Sequence, residues 1–375
     1  MSALHIGINA LYLIPGGVGG SETYLRNLLR ALAALDTPHQ FTVFTNRETG
    51  PDVAPSHPHW HLRQTGVRAL NRPARLLYEQ TLLPLHCAGL DVLFCPGFTA
   101  PAVAPCPRVT SIFDLQHKRH PEYFRWFELP FWRYFVWQAV HSSARLVAAS
   151  EKTRTDILHF YSIPSQKVEV VWLGGAEEFF PIGKLRQGRL AEPVLLCPST
   201  THPHKNHDLL LKTFRQFSEA HPQWQLVMTG VSGFADSAVR AQIAELGLES
   251  RVQILGWLPR EELYRWFERA GAVVYPSTFE GFGLPVVEAL AAGIPVACSD
   301  IEPLRTIAAD AAVLFDPASD AGLLQALERV CSDEPLRARL ALAGPLRAAQ
   351  FTWRRCALET LAILERAAGH SRTEL

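Results

Sequence analysis

Short apolar runs bounded by turn residues alternate with longer amphipathic stretches along the chain. At the start, Ile6 to Asn9 leads into a glycine-rich loop, and Ser21 to Leu35 follows with leucines at helical spacing. The order is strand, loop, helix. Residues 41–44, 92–95, 109–113 and 146–149 are β-branched or aromatic runs that predict buried parallel strands, so the first half reads as doubly wound. From Gly174 to Pro193 the alternation breaks into GGAEEFFPIGKLRQGRLAEP, which predicts a linker. It restarts with strands expected at 194–197, 225–229, 252–255, 272–275, 295–298 and 312–315, separated by helices, as a second parallel α/β unit. After Leu336 the pattern is helical, and Phe351-Thr352-Trp353 interrupts it before a last amphipathic segment.

The predicted architecture is two Rossmann-like, doubly wound parallel-sheet domains, 1–180 and 181–350, facing a cleft. A C-terminal helix, 351–375, returns to the first domain. At 375 residues the chain suits two cores better than one, and its 48% hydrophobic content supplies the material for them. Ligands are then expected at the carboxyl ends of the strands.

Charge changes the picture by exclusion. Thirty-six basic residues balance 36 acidic ones, so no overall field favours nucleic acid, and any phosphate recognition must be local. Seven scattered cysteines with no C-x-x-C pair argue against a disulfide framework or zinc knuckle and point to a reducing, cytoplasmic setting. The N-terminus lacks a basic leader, and no uncharged apolar run approaches the ~18 residues of a membrane span. Neither a signal peptide nor a transmembrane segment is expected.

The most informative stretch is Tyr275 to Asp300, YPSTFEGFGLPVVEALAAGIPVACSD, a strand, a glycine turn, a helix and a strand. Pro285 is expected at the first helical position, Gly293 at the left-handed cap, and Glu288 in the first turn. Backbone amides around Phe282, Gly283 and Leu284, at the positive end of the helix, form an anion seat. Carboxylates beside such a seat suit vicinal hydroxyls, one on a sugar and the other on a ribose, and Glu280 and Glu288 supply them. The bland alternative is a well-capped turn with two solvated glutamates.

Pro203-His204-Lys205-Asn206 follows another predicted strand and opens a helix. Lys205, one of six lysines against thirty arginines, offers a point charge to a diphosphate, or else is a solvated first-turn lysine. His202, His204 and His207 lack acidic or cysteine partners, so no metal site is expected there. No Asp-x-Asp occurs anywhere, and no cofactor is expected.

Glu280 and Glu288, in E-x7-E within EGFGLPVVEALAAGIPV, resemble the signature of family 4 retaining glycosyltransferases of GT-B fold. GGVGGSETYLRNLLRAL, EQTLLPLHCAGLDVLFCPGFTAP, FDLQHKRHPEYF, PHKN and GWLPREEL are similar to further family segments. The subset resembled builds bacterial O-antigen and exopolysaccharide, with many mannosyltransferases among it. The resemblance implies an acceptor-side first domain and a second domain binding the nucleotide sugar. It implies that Glu280 contacts the donor sugar, that Glu288 contacts the ribose, and that Lys205 stabilises the departing diphosphate. The family often pairs this lysine with an upstream arginine, where this chain has Ser199; charge neutralisation then falls to Lys205 and backbone amides. Gly17, in Gly16-Gly17-Val18-Gly19-Gly20, is implied to approach the β-phosphate and acceptor. Gly256 and Trp257 are implied to meet the nucleobase, with packing as the alternative for Trp257. Many relatives read His-Asp-Leu where this chain has Phe113-Asp114-Leu115; Asp114 or His117 is implied to take over contacts to donor or acceptor, unless Asp114 only caps its loop.

Tyr123 to Trp137, YFRWFELPFWRYFVW, holds nine of the 37 aromatic residues. Pro130 predicts a split into one or two amphipathic helices. These rings either pack the first core or, through Tyr123 and Trp126 among others, meet a membrane-borne acceptor, with Arg63, Arg68, Arg72 and Arg75 attracting anionic headgroups.

The expected activity is metal-independent, retaining transfer of a hexose, mannose first, from a nucleoside diphosphate sugar, GDP-mannose first, to a hydroxyl of a growing, lipid-linked glycan. A cytoplasmic enzyme touching the inner membrane peripherally would do this. The rivals are a nucleotide-sugar epimerase of the same architecture and a non-catalytic nucleotide-sugar-binding scaffold.

Overall fold

The computed structural model describes residues 3–17, 19–186 and 191–373, without the side chains of 370–373. Val18 of the glycine loop and residues 187–190 of the predicted linker lie outside the described residues. The chain divides into two compact units, Met1–Gly174 with Trp353–Leu375, and Gly175–Thr352. The first division falls before the expected 180/181 boundary. The Phe179 ring packs 5.2 Å from that of Tyr264 and 4.8 Å from that of Phe267, so this stretch belongs to the second core. Part of the predicted linker is in fact a helix, Phe180–Arg186, with Ile182 buried.

In the first unit the strands are β1 (His5–Asn9), β2 (Gln40–Thr45), β3 (Trp60–Gln64), β4 (Val92–Cys95), β5 (Arg108–Ile112), β6 (Arg145–Ala148) and β7 (Val168–Val170). They form a parallel sheet in the order β3-β2-β1-β4-β5-β6-β7. The order reverses between β1 and β4, where a doubly wound sheet opens a crevice. β4 is buried throughout because helices cover both faces, whereas β3 exposes four of its five residues at the edge. Helix Gly20–Ala33 buries Tyr24, Leu25, Leu28, Leu29 and Leu32 and packs against helix Trp353–Thr373, which also covers β4, β5 and β6.

The second unit contains β8 (Val194–Pro198), β9 (Gln225–Thr229), β10 (Val252–Gly256), β11 (Ala272–Tyr275), β12 (Val296–Ser299) and β13 (Val313–Phe315). Its parallel order is β10-β9-β8-β11-β12-β13, which places its own reversal between β8 and β11. Leu210, Leu211, Phe214 and Phe217 of helix His207–Ala220 are buried in the core beside these strands. Among the described residues no helix is long and apolar enough to cross a membrane.

Of the one or two helices expected in the aromatic segment there is one, Leu129–Ser142, and the aromatics before Pro130 lie outside it. Pro130 stands in the first turn of that helix, where its missing N–H costs nothing. Nor do the rings all enter the core. Trp132 is half-buried and meets Phe98 edge-on at 5.8 Å, while Trp126, Phe127, Phe131, Tyr134 and Trp137 are exposed.

Candidate active site

The reversal between β8 and β11 is where the second unit brings its predicted chemistry together. After β8 the chain makes a tight turn at Pro203–Lys205 and passes through Asn206, held at φ 57°. Asn206 Nδ2 donates to the Pro317 carbonyl at 2.9 Å, and the Thr278 N–H donates to the His204 carbonyl at 2.7 Å, so the turn is fixed on both sides. Lys205 precedes the helix rather than lying in its first turn. Its Nζ donates to Glu280 Oε1 at 2.6 Å and to Tyr275 Oη at 2.8 Å, and lies 5.0 Å from the centre of the Tyr275 ring. The lysine and glutamate side chains are only 11% and 10% exposed, which excludes solvated surface roles for both. Burial alone would raise the Glu280 pKa, but Lys205 outweighs it and holds the carboxyl below its ordinary range. Burial, then the Glu280 charge, keep the Tyr275 phenol neutral.

Tyr275 is the member of this group that sequence reasoning treats only as the end of a strand. A phenol closing a strand two residues before the Ser-Thr-Phe-Glu turn is the signal available for it.

The helix after the glycine turn is Leu284–Ala291, with Gly283 as its N-cap at φ 120°. A Cβ at Gly283 would stand 2.4 Å from Leu304 Cδ2, so both conformation and space require glycine. Pro285 is therefore the second helical residue rather than the first, and Glu288 lies in the second turn rather than the first, because the helix starts at Leu284. The N–H groups of Phe282, Gly283 and Leu284 make no hydrogen bond among the described residues, as an anion seat requires. Gly293, at φ 62°, closes the helix: its N–H reaches the Leu290 carbonyl at 3.0 Å, and the Ile294 N–H reaches the Ala289 carbonyl at 3.0 Å. The Glu288 carboxyl is pushed up to about 7 by burial, with Arg260 opposing the shift.

The remaining predicted positions are less uniform. Ser199 is buried and its Oγ is bonded to His207 Nε2 at 2.9 Å, so the hydroxyl standing in for the family's arginine is already engaged. Gly256, at φ 70°, accepts the Gly230 N–H at 2.8 Å, and Trp257 beside it is exposed, not packed. His207 is buried, and burial followed by Lys205 lowers its pKa to about 4; among the described residues no three His, Cys, Asp or Glu side chains converge to hold a metal.

In the first unit, Gly17 is exposed and its N–H turns back to the Ile14 carbonyl at 2.9 Å. Asp114 Oδ1 accepts the Gln116 N–H at 2.9 Å, the capping geometry weighed against a catalytic role. Phe113 packs edge-on to Tyr24 at 4.8 Å and to Phe98 at 5.2 Å, a packing role in place of the family's histidine. His117 is not an open acceptor contact. It is buried, bonded to Tyr161 Oη at 3.0 Å, and lowered to about 4 by burial, then by Lys118 and Arg133. Tyr123 is half-buried and stacks on His120 at 5.0 Å, whereas Trp126 is 85% exposed.

Residues 18–174 match the family model for Glycosyltransferase Family 4, and residues 186–347 match that for Glycosyl transferases group 1. The chain belongs to the group 1 glycosyltransferases, and its fold is GT-B, two parallel α/β units. It is 28% identical over 266 residues to O-antigen chain mannosyltransferase B of Escherichia coli, covering 68% of this chain and 68% of that one. It is 30% identical over 232 residues to D-inositol 3-phosphate glycosyltransferase of Frankia alni, covering 58% of this chain and 57% of the relative. Among solved structures, Anabaena HepE in complex with UDP and glucose superposes with a TM-score of 0.74 at 20% identity, covering 97% of this chain and 100% of that chain.

Proposed function

We propose that this glycosyltransferase moves a hexose, with retention, from a nucleoside diphosphate sugar to a hydroxyl of a growing, lipid-linked glycan. The observation that carries the reading is the buried Lys205–Glu280 pair at the β8/β11 reversal, in the unit where the amides of residues 282–284 are left unpaired. In the donor-free chain the two charges neutralise each other. A bound diphosphate brings its own negative charge, draws the ammonium towards the leaving group, and frees Glu280 to accept hydrogen bonds from sugar hydroxyls. Lys205 and the amides then stabilise charge as it develops on the departing phosphate, which takes the acceptor proton. Glu288 accepts from the ribose. The likeness to an O-antigen mannosyltransferase supports mannose, and hence GDP-mannose, as first candidate. The reaction needs no metal, because fixed cations and dipoles do its work, and the protein acts in the cytoplasm against the inner face of the membrane.

Labelled GDP-mannose and UDP-, ADP- and dTDP-hexoses, each with a lipid-linked glycan, test this. Label in the glycan with the anomeric configuration of the donor, at a rate unchanged by EDTA, is the expected result. Inversion at the anomeric carbon, or silencing by EDTA with rescue by Mg²⁺, would refute it.

A pH prediction follows from Glu288. Its pKa is raised to about 7, so the protonated form adds stability at low pH that is lost as pH rises through about 7, while the carboxylate that receives the ribose appears over the same interval. Nucleoside diphosphate affinity should therefore rise between about pH 6 and pH 8. Calorimetry on the wild type and Glu288→Gln checks it, because the variant keeps the phosphate's own titration but loses the carboxyl's. Parallel pH profiles for the two proteins would exclude this role.

A further inference from the structure

The first unit has its own reversal, between β1 and β4, and a cavity of about 580 Å³ opens beside it. Ile14, from the segment after β1, and Thr99, from the segment after β4, both line it. Two helices form its other walls: Arg72–Thr81 contributes Arg72, Arg75 and Gln80, and Leu129–Ser142 contributes Phe131, Trp132 and Phe135. The position is the one where doubly wound sheets take ligands. No residue of the donor site lies in it.

The lining has two chemical characters. One is cationic. Arg75 is largely enclosed, its Nε is buried with no acceptor, and the side chain makes no hydrogen bond or ion pair among the described residues. Its neighbour on the helix, Glu79, does not satisfy it. One Glu79 oxygen accepts from Asn9 Nδ2 at 2.8 Å and Thr99 Oγ1 at 2.9 Å, and the other from Gln80 Nε2 at 3.4 Å. Burial followed by the Glu79 charge are the main influences on the Arg75 guanidinium, which stays protonated. Arg72 stands over the Trp132 ring, 5.2 Å from its centre. Glu128 also lines the cavity, so the wall is not uniformly basic. A guanidinium with five donors, enclosed beside the Glu79 charge but without a hydrogen-bond acceptor among the described residues, is a costly arrangement unless an anion completes it.

The second character is apolar and continues to the surface. Leu70 and Leu77 line the cavity while being 70% and 65% exposed, and Phe127 and Phe131 line it while also exposed. Flexible aliphatic side chains beside rings suit a hydrocarbon chain better than a sugar, whose hydroxyls would find few partners among them. A bare phosphate would not use these walls, and a neutral lipid would not use Arg75.

We propose that this cavity binds the phosphate-bearing end of a lipid-linked acceptor, with Arg75 and Arg72 on the phosphate and the hydrocarbon chain along Leu70, Leu77, Phe127 and Phe131. The inference rests on the proposed transfer to a lipid-linked glycan and assigns that acceptor's recognition to residues outside the donor site. Arg75 is a binding residue here and takes no part in bond breaking.

Titration of the full chain with farnesyl phosphate, farnesol and inorganic phosphate tests it without requiring turnover. Farnesyl phosphate should bind at least about tenfold more tightly than either of the others, as expected when one charge-assisted contact and an apolar wall act together. Arg75→Gln should weaken farnesyl phosphate by about tenfold or more and leave farnesol and nucleoside diphosphate binding unchanged. Arg75→Lys should recover part of the loss. Phe131→Ser, at an exposed position that tolerates a polar side chain, should weaken farnesyl phosphate and farnesol together. Equal binding of inorganic phosphate and farnesyl phosphate, or indifference to both Arg75→Gln and Phe131→Ser, overturns the proposal. Failure of the two readings looks different. Sugar transfer to a lipid-linked glycan that ignores Arg75→Gln removes this site and keeps the reaction, whereas tight, Arg75-dependent farnesyl phosphate binding with no transfer removes the reaction and keeps the site.

Discussion

Lys205→Ala is expected to lower kcat/KM for sugar transfer by about 10²–10³-fold, the loss seen when a preorganised donor to developing charge is removed. The structure adds a stability effect that sets it apart from an ordinary active-site lysine. Lys205 and Glu280 are both nearly buried, so deleting the ammonium leaves a carboxylate bonded to little besides its own segment. Breaking such a pair costs about 3–5 kcal/mol in a closed interior, and less here if water enters the vacated space. The pH dependence follows. In the wild type the Glu280 pKa is depressed, so its contribution to stability is present above the ordinary carboxylate pKa and lost as pH falls through the folded value. Without Lys205, burial dominates and the pKa rises, so the deficit in Tm should shrink as pH is lowered. Adding Glu280→Gln to Lys205→Ala should restore most of the Tm at neutral pH while turnover stays low. A Lys205→Ala enzyme with unchanged Tm and kcat/KM within a few-fold of wild type would remove the buried pair from both folding and catalysis.

The alternation of apolar and amphipathic segments located the interior strands of both sheets because those strands are covered on both faces and need continuous apolar runs. It missed β3 and β7 for the complementary reason. Both are edges of the first sheet; β3 reads WHLRQ with one buried residue, and β7 is three residues with a glutamate at its centre. Edge strands carry charge to avoid further pairing and so lose the signal. Lys205 and Glu280 were legible as separate features, each at the exit of a strand, but their contact spans 75 positions and depends on β8 and β11 being neighbours. Glu288 falls one residue later in the helix than the sequence pattern predicts, and so in the second turn, because the helix starts at Leu284 and not at Pro285. The spacing of the aromatics predicts a helix but carries no information on which partner covers which face, so Trp132 turns inward while Phe131 and Tyr134 do not. Arg75 and Glu79, four apart on one helix, have the spacing of an ion pair. Only the structure shows that Asn9, Thr99 and Gln80 have taken the glutamate's oxygens.

Glu280→Gln and Glu288→Ala are expected to fail in opposite ways. Among the described residues Glu280 is the one acid tied to Lys205, beside the proposed diphosphate seat, and its amide replacement keeps the shape while losing the charge. Turnover should fall by about 10–100-fold, the worth of hydrogen bonds to a charged acceptor that strengthen as the sugar gains positive character. Affinity for the nucleoside diphosphate should not fall with it and is expected to rise modestly, because Lys205 is no longer neutralised by a carboxylate 2.6 Å away and is free to meet the phosphates. Glu288→Ala instead removes the acceptor proposed for the ribose, and nucleoside diphosphate binding should weaken by about 10–100-fold, with kcat at saturating donor far less affected. Calorimetry with the nucleoside diphosphate and initial rates at saturating donor separate the two variants. A Glu280→Gln enzyme that loses as much nucleotide affinity as Glu288→Ala would show that both acids serve the nucleotide, and the sugar would then need another partner at the end of β11.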